Sequence, residues 1–180
     1  MLRANFIYGD MKTASQDETF GELKIRTSLQ PGDIGTIILL HGIYYSQKYG
    51  FDHTFDAYVA GPLSEFAKRN DDRERIWIVE LAGEIVGTIA IVRAADNRAQ
   101  LRWLLITPKA QGRGIGKLLM QKALDFCRAK NYEAVFLWTV NILTAAAQLY
   151  RLSGFLITEE ASAELWGTTV TEQCYQLILN

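Results

Sequence analysis

A short glycine-rich segment is the part of this sequence best suited to binding chemistry. Gly112, Gly114 and Gly116 alternate with Arg113 and Ile115, and an amphipathic helical pattern begins at the same point. A helix N-terminus presents N–H groups without intrahelical partners and a partial positive charge, and glycines let an anion approach the main chain without obstruction by a Cβ atom. These residue types at this spacing predict a site for a phosphate-bearing ligand.

The glycine spacing argues against two common nucleotide-binding loops. The phosphate loop of nucleoside triphosphatases has Ser or Thr after its Gly-Lys pair, but Leu118 follows Lys117 here, and Gln111 stands where that loop has its first glycine. The dinucleotide fingerprint fails because Lys117 occupies the place of its last glycine. A glycine-rich turn that binds no ligand is the alternative interpretation. Residues 109–130 contain six basic residues and one acid, and this positive charge favours the binding of an anion. The alternative for these charges is a solvated helix face.

The elements around this segment predict an α/β fold. A buried strand pattern over residues 101–106 stops before Pro108, and the helix pattern after the glycines ends near residues 130–131. Asp33 is the expected N-cap of the first helix. The further predicted elements are a strand at 23–27, helices at 34–45 and 54–68, a hairpin of 75–81 and 85–93, a strand at 134–139, a helix at 145–152, and strands at 154–158 and 173–179. This order indicates a mixed, mostly antiparallel central sheet flanked by helices, with one β-α-β step around the glycines.

The glycine segment resembles the acetyl-coenzyme A (acetyl-CoA) signature of the GNAT superfamily of N-acetyltransferases, Gln/Arg-x-x-Gly-x-Gly/Ala, which here spans Gln111 to Gly116. Residues 101–108 are similar to the family's fourth strand, and residues 145–155 to its A-x-x-L-Y-x-x-x-G-F ending. The resemblance is closest to the acetyltransferase domain found fused to MarR-type regulators, through stretches such as His41-Gly42 and Leu137-Trp138-Thr139. It covers residues 23–180. Residues 1–22 are expected to be an N-terminal extension, too short for the winged helix of such a regulator.

The resemblance implies acetyl-CoA as the cofactor and assigns residues to it. The pyrophosphate would lie on the glycine segment, and the pantetheine arm would pair with the main chain of the fourth strand like an added strand. Relatives often place an asparagine after the next strand, where it touches the pantetheine. The residues assigned to the cofactor in this way are Leu105, Ile106, Gln111, Gly112, Arg113, Gly114, Ile115, Gly116, Lys117 and Asn141.

Tyr150 matches the family's usual general acid, which protonates the coenzyme A thiolate as it leaves. A phenol with a pKa of about 10 can hand a proton to a thiolate whose conjugate acid has a pKa of about 8.5. The alternative is a helix tyrosine that only packs its ring. Glu80, at the end of a strand, is the nearest candidate for the general base, because the strand at 101–106 holds no carboxylate. Two alternatives stay open. Glu80 is only a solvated residue at the end of its strand, or the amine enters in its neutral form and needs only a water relay.

The family resemblance places the acceptor pocket in the helical region between the first two strands. His41, Tyr45 and Tyr49 are the candidate substrate-binding residues in an aromatic, mildly polar cluster there. The alternative for His41 is a hydrogen-bonded core histidine. An aromatic pocket with one acid would suit a cationic amine of modest size. No residue pattern selects among amino acids, polyamines, aminoglycosides, antimetabolites or a protein N-terminus.

The composition narrows the partners and the location. The chain has 180 residues, 19 Lys and Arg, 20 Asp and Glu, and a formal charge of -1. This balance argues against nucleic acid as a partner. Cys127 and Cys174 are too few for a disulfide framework, and neither lies near a histidine at zinc-site spacing, so no metal is expected and a cytoplasmic location is the simplest assumption. Residues 1–10 lack the pattern of a signal peptide or a membrane span.

These observations favour an enzyme that transfers the acetyl group of acetyl-CoA directly to a primary amine of a small molecule or peptide. No covalent enzyme intermediate is expected, because Cys127 lies on the apolar stripe of its helix. The alternative is an acyl-CoA-binding sensor or regulatory module without turnover, which the missing strand carboxylate favours. A homodimer is possible if the final strand, at 173–179, pairs across a two-fold axis.

Overall fold

A computed structural model describes residues 23–179, so the expected extension at 1–22 and the last residue lie outside the described part. The described chain forms one seven-stranded sheet in the order β1-β2-β3-β4-β5-β7-β6. All neighbouring strands are antiparallel except β4 and β5, which are parallel. The strands are β1 (Leu23–Arg26), β2 (Arg75–Leu81), β3 (Glu84–Arg93), β4 (Arg98–Ile106), β5 (Ala134–Val140), β6 (Leu156–Leu165) and β7 (Thr168–Ile178). The predicted mixed, mostly antiparallel α/β fold is confirmed.

Helices cover both faces of the sheet. They are α1 (Asp33–Tyr49), α2 (Thr54–Lys68), α3 (Ile115–Ala129) and α4 (Thr144–Leu152), with a short 3-10 turn at Pro108–Ala110. The alternation of β2 shows how the sheet separates the two cores: Ile76 and Ile78 pack with residues of α1 and α2, whereas Trp77 and Val79 pack with residues of α3. The central strands are therefore buried on both faces, and a separation of two of them gives a ligand access to side chains in the middle of the sheet.

The strands separate between β4 and β5. Their parallel pairing is limited to Arg98 with Ala134, Ala99 with Val135 and Gln100 with Phe136. Beyond that point β4 continues to Ile106 and β5 to Val140. The two strands therefore diverge and leave a wedge-shaped opening in the middle of the sheet, and we call this opening the wedge.

A β-bulge shapes the β4 side of the wedge. Thr88 of β3 pairs with Leu105, but Ala90 pairs with Arg102, so two residues of β4 lie opposite one residue of β3. Trp103 lies in the bulge with a φ of 51°, and its carbonyl accepts a 2.6 Å hydrogen bond from the Thr88 hydroxyl. This buried bond fixes the strand at the point where it bends away from β5.

The expectation that Asp33 caps α1 is wrong. Gly32 is the N-cap, with a φ of 94°, and Asp33 is the first helical residue. The Asp33 carboxylate accepts hydrogen bonds of 2.6 and 2.7 Å from the Arg26 guanidinium and one of 2.5 Å from the main-chain N–H of Gln30. A carboxylate engaged by an arginine on β1 is not available to cap the helix, and it anchors α1 to the sheet instead.

The premise of pairing through the final strand is also wrong. That strand, β7, lies inside the sheet between β5 and β6 and is hydrogen-bonded on both sides. The free edge on this side belongs to β6, which is longer than the five residues predicted and is exposed along nearly its whole length. Any pairing of two copies through this edge would therefore involve β6.

Candidate functional site

The glycine segment lies at the N-terminus of α3. Gly114 is the N-cap with a φ of 75°, and the first intrahelical hydrogen bond runs from the Leu118 N–H to the Gly114 carbonyl at 3.0 Å. The N–H groups of the three residues between them, 115–117, accordingly have no partner within the helix. Open space surrounds the positions that a Cβ atom would occupy at Gly112 and Gly114. The predicted helix start is confirmed, and it presents main-chain donors to an anion.

A cavity that we call the channel runs from this helix start along the wedge. Gly116 forms part of its wall, and a Cβ atom there would lie 3.4 Å from Leu149 and 4.0 Å from Ile106. The remaining residues that line the channel are Tyr44, Tyr45, Tyr49, Leu104, Leu105, Gln111, Leu143, Ala145 and Ala146. A mostly apolar channel that begins at a helix N-terminus suits a ligand with a charged end and a long, narrow arm.

The main chain of β4 offers polar groups to the channel, but not at both expected residues. The Thr107 N–H bonds to the Val86 carbonyl at 2.8 Å, and Leu105 pairs with Thr88, so the alternation of an antiparallel ladder directs the main-chain groups of Leu105 toward β3. The groups of Leu104 and Ile106 face the wedge. The expected pairing of an arm with the Leu105 main chain is therefore corrected: Leu104 and the N–H of Ile106 direct free main-chain groups to the wedge, and Leu105 lines the channel with its side chain. The Ile106 carbonyl accepts a hydrogen bond from the Gln111 side chain.

Gln111 closes one end of the channel. Its side-chain amide donates a 2.8 Å hydrogen bond to the Ile106 carbonyl and a 3.3 Å bond to the Tyr44 hydroxyl. Tyr44 also accepts a 2.9 Å hydrogen bond from Lys48. The glutamine at the start of the motif therefore connects the end of β4 to α1, so its visible role is to shape the channel.

A second cavity, the acceptor cavity, lies on the other side of the wedge. It shares Tyr45, Leu104 and Leu143 with the channel. Five of its lining residues carry rings from α1, α2 and the loop between them: His41, Tyr45, Phe51, Phe55 and Tyr58. Trp103 of β4 and Trp166 of the β6–β7 turn add two indole rings. Its polar lining residues include Gln100, Arg102, Thr139, Tyr150 and Glu172. The two cavities meet at the wedge, so a group delivered through one can meet a molecule held in the other.

Tyr150 faces the acceptor cavity from α4. It is 6% exposed, and its ring packs 5.5 Å from the ring of Tyr175 and 6.1 Å from that of Phe155. Its hydroxyl makes no hydrogen bond to any residue in the described range 23–179. Burial raises the pKa of the phenol above its ordinary value, so the hydroxyl stays protonated at neutral pH. The geometry thus places a protonated, unengaged donor in the cavity.

His41 is a buried, neutral imidazole in the same cavity. Ile37, His41 and Tyr45 are spaced four residues apart, which places them on one face of α1. The Ile37 carbonyl lies 2.8 Å from Nδ1 and can only accept, so Nδ1 carries the proton. Nε2 is buried without a partner within residues 23–179, and burial lowers the pKa of His41 to about 4. Nε2 therefore offers a lone pair to a ligand in the cavity.

Glu80 lies away from both cavities. Its carboxylate accepts a 2.7 Å hydrogen bond from Arg26, the same guanidinium that holds Asp33. Glu80 lines a third cavity with Thr107 and Lys109, and it is not among the described residues that line the channel or the acceptor cavity. The structure does not bring this candidate base to Tyr150.

Asn141 extends the pairing of β5 with β7. Its N–H donates to the Thr171 carbonyl at 2.9 Å, and its side-chain oxygen accepts from the Thr171 N–H at 3.1 Å. The visible role of Asn141 is thus to hold the end of β5 against β7, where Glu172 begins to face the acceptor cavity. Tyr49, in contrast, lines the channel beside Tyr44 and Tyr45 and is not among the described residues that line the acceptor cavity.

The basic residues around the glycine segment are partly neutralised. Lys109 pairs with Glu84, Arg128 with Asp125 at 3.3 Å, and Lys130 with Asp72 at 2.7 Å. Arg113 and Lys117 are exposed within the segment and its first helical turn. The positive field at the helix start therefore comes from fewer side chains than the sequence count indicates.

Sequence reasoning missed two charged residues of the acceptor cavity, Arg102 and Glu172. A usable signal for Arg102 was its charge, because it is the one cation in an otherwise apolar strand pattern over residues 101–106. Glu172 precedes the predicted final strand and reaches the cavity because β7 pairs with β5 from Val140 onward, a register that the sequence does not reveal.

Within residues 23–179, no group of three or more His, Cys, Asp or Glu side chains is placed to hold a metal ion. Cys127 and Cys174 are buried free thiols, and burial raises the pKa of Cys127 to about 12. A thiol with that pKa is almost wholly protonated at neutral pH, which makes it a poor nucleophile. No helix in this range combines the length and apolar character needed to cross a bilayer.

Comparison with curated proteins finds acetyltransferases. Human N-acetyltransferase 8B is 27% identical over 142 residues, which is 75% of this chain and 63% of that protein. Zebrafish (Danio rerio) N-acetylaspartate synthetase is 36% identical over 80 residues, 44% of this chain and 28% of that protein. The chain thus matches less than two thirds of the length of either relative.

Comparison with solved structures finds the same fold. A Salmonella typhimurium acetyltransferase, solved with its cofactor acetyl-CoA, superposes with a TM-score of 0.71 and 17% identity, covering 88% of this chain and 94% of the other. The family model described as "Acetyltransferase (GNAT) family" matches residues 39–155, which include the glycine segment, the wedge and Tyr150. The chain belongs to the GNAT acetyltransferase family.

Proposed function

We propose that this protein transfers the acetyl group of acetyl-CoA directly to a primary amine of a small molecule or peptide. The observation that carries the proposal is the wedge between β4 and β5, with the helix start of α3 at one end and the acceptor cavity at the other. This arrangement offers room for two molecules on opposite sides of one opening, as a direct transfer between them requires.

The channel fits acetyl-CoA by its chemistry. The unpartnered N–H groups at 115–117 and the glycines before them would hold the pyrophosphate, with Arg113 and Lys117 adding positive charge. The wedge-facing main-chain groups of β4 would bond the amides of the pantetheine arm. Gly116 keeps the channel open between Leu149 and Ile106. The family relationship supports the same cofactor.

The transfer makes one bond and breaks another. The amine nitrogen bonds the acetyl carbon, the carbon–sulfur bond breaks, the nitrogen loses a proton, and the departing thiolate gains one. Tyr150 would supply the thiolate's proton, since it lies in the acceptor cavity with a protonated hydroxyl that no described residue engages. His41 Nε2 could accept a hydrogen bond from the amine, although a pKa of about 4 makes it a weak base. The amine's proton would pass along a relay of water molecules to bulk solvent, which is its final acceptor.

An acyl-CoA-binding sensor without turnover is the second candidate. Its specific support is the ion pair of Glu80 with Arg26, which leaves the expected base engaged outside the cavity. Against the sensor, a different carboxylate, that of Glu172, does line the acceptor cavity. We favour turnover because the cavity and Tyr150 lie directly behind the channel.

A panel of primary amines separates these two functions. The panel contains amino acids, aliphatic diamines, an aminoglycoside and short peptides, with acetyl-CoA in each reaction and thiol release as the readout. Mass spectrometry of the products identifies the acetylated amine. Amine-dependent thiol release with a matching product supports the enzyme. Acetyl-CoA binding without any product across the panel supports the sensor.

The proposal also includes the location of the protein, its association into a dimer, its likeness to MarR-fused domains and the segment at 1–22. A reducing, cytoplasmic location is supported by the two buried free thiols. A homodimer would use the free edge of β6, and the likeness to MarR-fused domains has support only from the sequence stretches named above. An N-terminal extension at 1–22 before the acetyltransferase domain is likewise part of the proposal.

A further inference from the structure

We infer that the acceptor cavity selects an amine that also carries a carboxylate, namely an amino acid with an apolar or aromatic side chain, and that Arg102 binds the carboxylate. This inference rests on the proposed function and narrows its substrate class. It starts from two charged groups of the cavity, Arg102 and Glu172, which form no ion pair with any residue of the described range 23–179.

Arg102 is a cation without a carboxylate partner among the described residues. The described range 23–179 contains nine ion pairs between side chains, and Arg102 takes part in none of them. Its one hydrogen bond is a long contact of 3.4 Å to the Gln100 side chain on the same strand. The guanidinium instead lies 5.6 Å from the Tyr58 ring and 5.3 Å from the Trp103 ring. The rings orient it and leave its N–H groups for a ligand.

The cavity also carries acceptors for a cation. Glu172 lines it from β7 and forms no ion pair within residues 23–179, and His41 Nε2 is buried there without a partner. Arg102 and Glu172 line one cavity, yet they are more than an ion-pair distance apart, since no bridge joins them. A ligand that bears an ammonium or amine and a carboxylate satisfies both.

The charge balance disfavours other amines. A polyamine would place further positive charges near Arg102, and no carboxylate would neutralise that guanidinium. A dicarboxylic amino acid would bring a second negative charge toward Glu172. Charges in a partly buried cavity interact more strongly than in water, so an unmatched charge weakens binding. A single carboxylate with a single amine is the best match.

The rings of the cavity define the rest of the ligand. Phe51, Phe55, Tyr58 and Trp166 pack against one another with centroids 4.9 to 6.0 Å apart. They form an apolar wall beside the charged groups. A side chain such as that of phenylalanine or leucine would bury its surface against this wall.

Matched pairs of acceptors test the inference. Each pair is an amino acid and its decarboxylated amine: L-phenylalanine with phenethylamine, and L-leucine with isoamylamine. We expect kcat/KM to be about 10- to 100-fold higher for the amino acid in at least one pair, the factor that charge-assisted hydrogen bonds supply. Arg102→Gln should reduce this preference to about 2-fold or less, and Arg102→Lys should retain part of it.

A matched control removes a cation elsewhere on the sheet. Arg93 lies on β3, pairs with Asp71 and is outside the acceptor cavity. The Arg93→Gln variant should therefore keep the preference for the amino acid over its decarboxylated amine. Calorimetry gives a readout without turnover: with coenzyme A present, N-acetyl-L-phenylalanine should bind more tightly than N-acetylphenethylamine, and Arg102→Gln should remove the difference.

The outcomes separate this inference from the proposed function. Acetylation of amines without a carboxylate preference would overturn the inference and leave the function standing. A preference that survives in Arg102→Gln would overturn the role of Arg102. If acetyl-CoA binds but no amine is acetylated, equal binding of the two acetylated probes overturns the inference, whereas an Arg102-dependent difference supports it.

Discussion

The buried His41 makes the stability of this protein depend on pH in a calculable way. Burial lowers its pKa to about 4 in the folded protein, against an ordinary value of 6.5. Below pH 6.5 the unfolded chain takes up a proton that the folded chain refuses until about pH 4. The contribution of His41 is therefore fully present above pH 6.5 and is lost as the pH falls through this window, in the direction expected for a depressed histidine pKa.

The magnitude follows from the two pKa values. Between about pH 7.5 and about pH 5, linkage with those values lowers the free energy of unfolding by roughly 2 kcal/mol. With a urea m-value of about 2 kcal/mol/M for a domain of this size, the unfolding midpoint should fall by about 1 M. Carboxylates contribute to the same pH range, so the comparison must be made against a variant that lacks only this imidazole.

Urea unfolding followed by tryptophan fluorescence at the two pH values measures the effect. His41→Gln should be less stable at neutral pH and should lose about 2 kcal/mol less than the wild type on acidification. His53→Gln, a change at the exposed histidine, is the control, and we expect it to lose as much free energy of unfolding on acidification as the wild type does. Equal losses in the wild type and in His41→Gln would refute a buried neutral imidazole.

Three further expectations concern the site. Tyr150→Phe should lower kcat by about 100-fold with acetyl-CoA affinity and melting temperature nearly unchanged, because its hydroxyl bonds no residue in the described chain; unchanged kcat by stopped-flow thiol release would remove the acid role. Glu80→Gln should lower the free energy of unfolding by about 1 kcal/mol, because the amide oxygen still accepts from Arg26 but the bond loses its charge. The pH profile of kcat/KM should keep its acidic limb; loss of that limb would establish Glu80 as the base. Cys127→Ala should retain turnover, because the thiol is buried and protonated; a loss of product formation in a variant with the wild-type melting temperature would contradict direct transfer.

The sequence was sufficient for most of the elements and for the position of the glycine segment at the start of a helix. Periodicity and the glycine spacing predicted a helix that begins at the glycines and a strand before it, because local patterns determine both. The position of Asp33 was not predictable in the same way, since its engagement by Arg26 is a tertiary contact that overrides a local capping preference.

The acceptor end was harder to predict because it depends on strand pairing. Leu104 and Ile106, rather than Leu105, direct main-chain groups to the wedge only because of the register of β4 on β3 and its bulge. Glu172 reaches the cavity through the pairing of β7 with β5. Neither register has a signal in a single sequence, whereas Arg102 was visible as a charge in an apolar strand.

The central claim is that the wedge holds acetyl-CoA, and calorimetric titration tests it most directly. Gly116→Ala is the matched control, because its Cβ would lie at an ordinary contact distance of 3.4 Å from Leu149, whereas the larger side chain of Gly116→Val would fill the channel. We expect one acetyl-CoA per chain for the wild type and for Gly116→Ala, and at least a tenfold weaker affinity for Gly116→Val with its melting temperature preserved. Absence of binding by the wild type at about millimolar acetyl-CoA, or equal affinity in the folded Gly116→Val protein, would contradict the account.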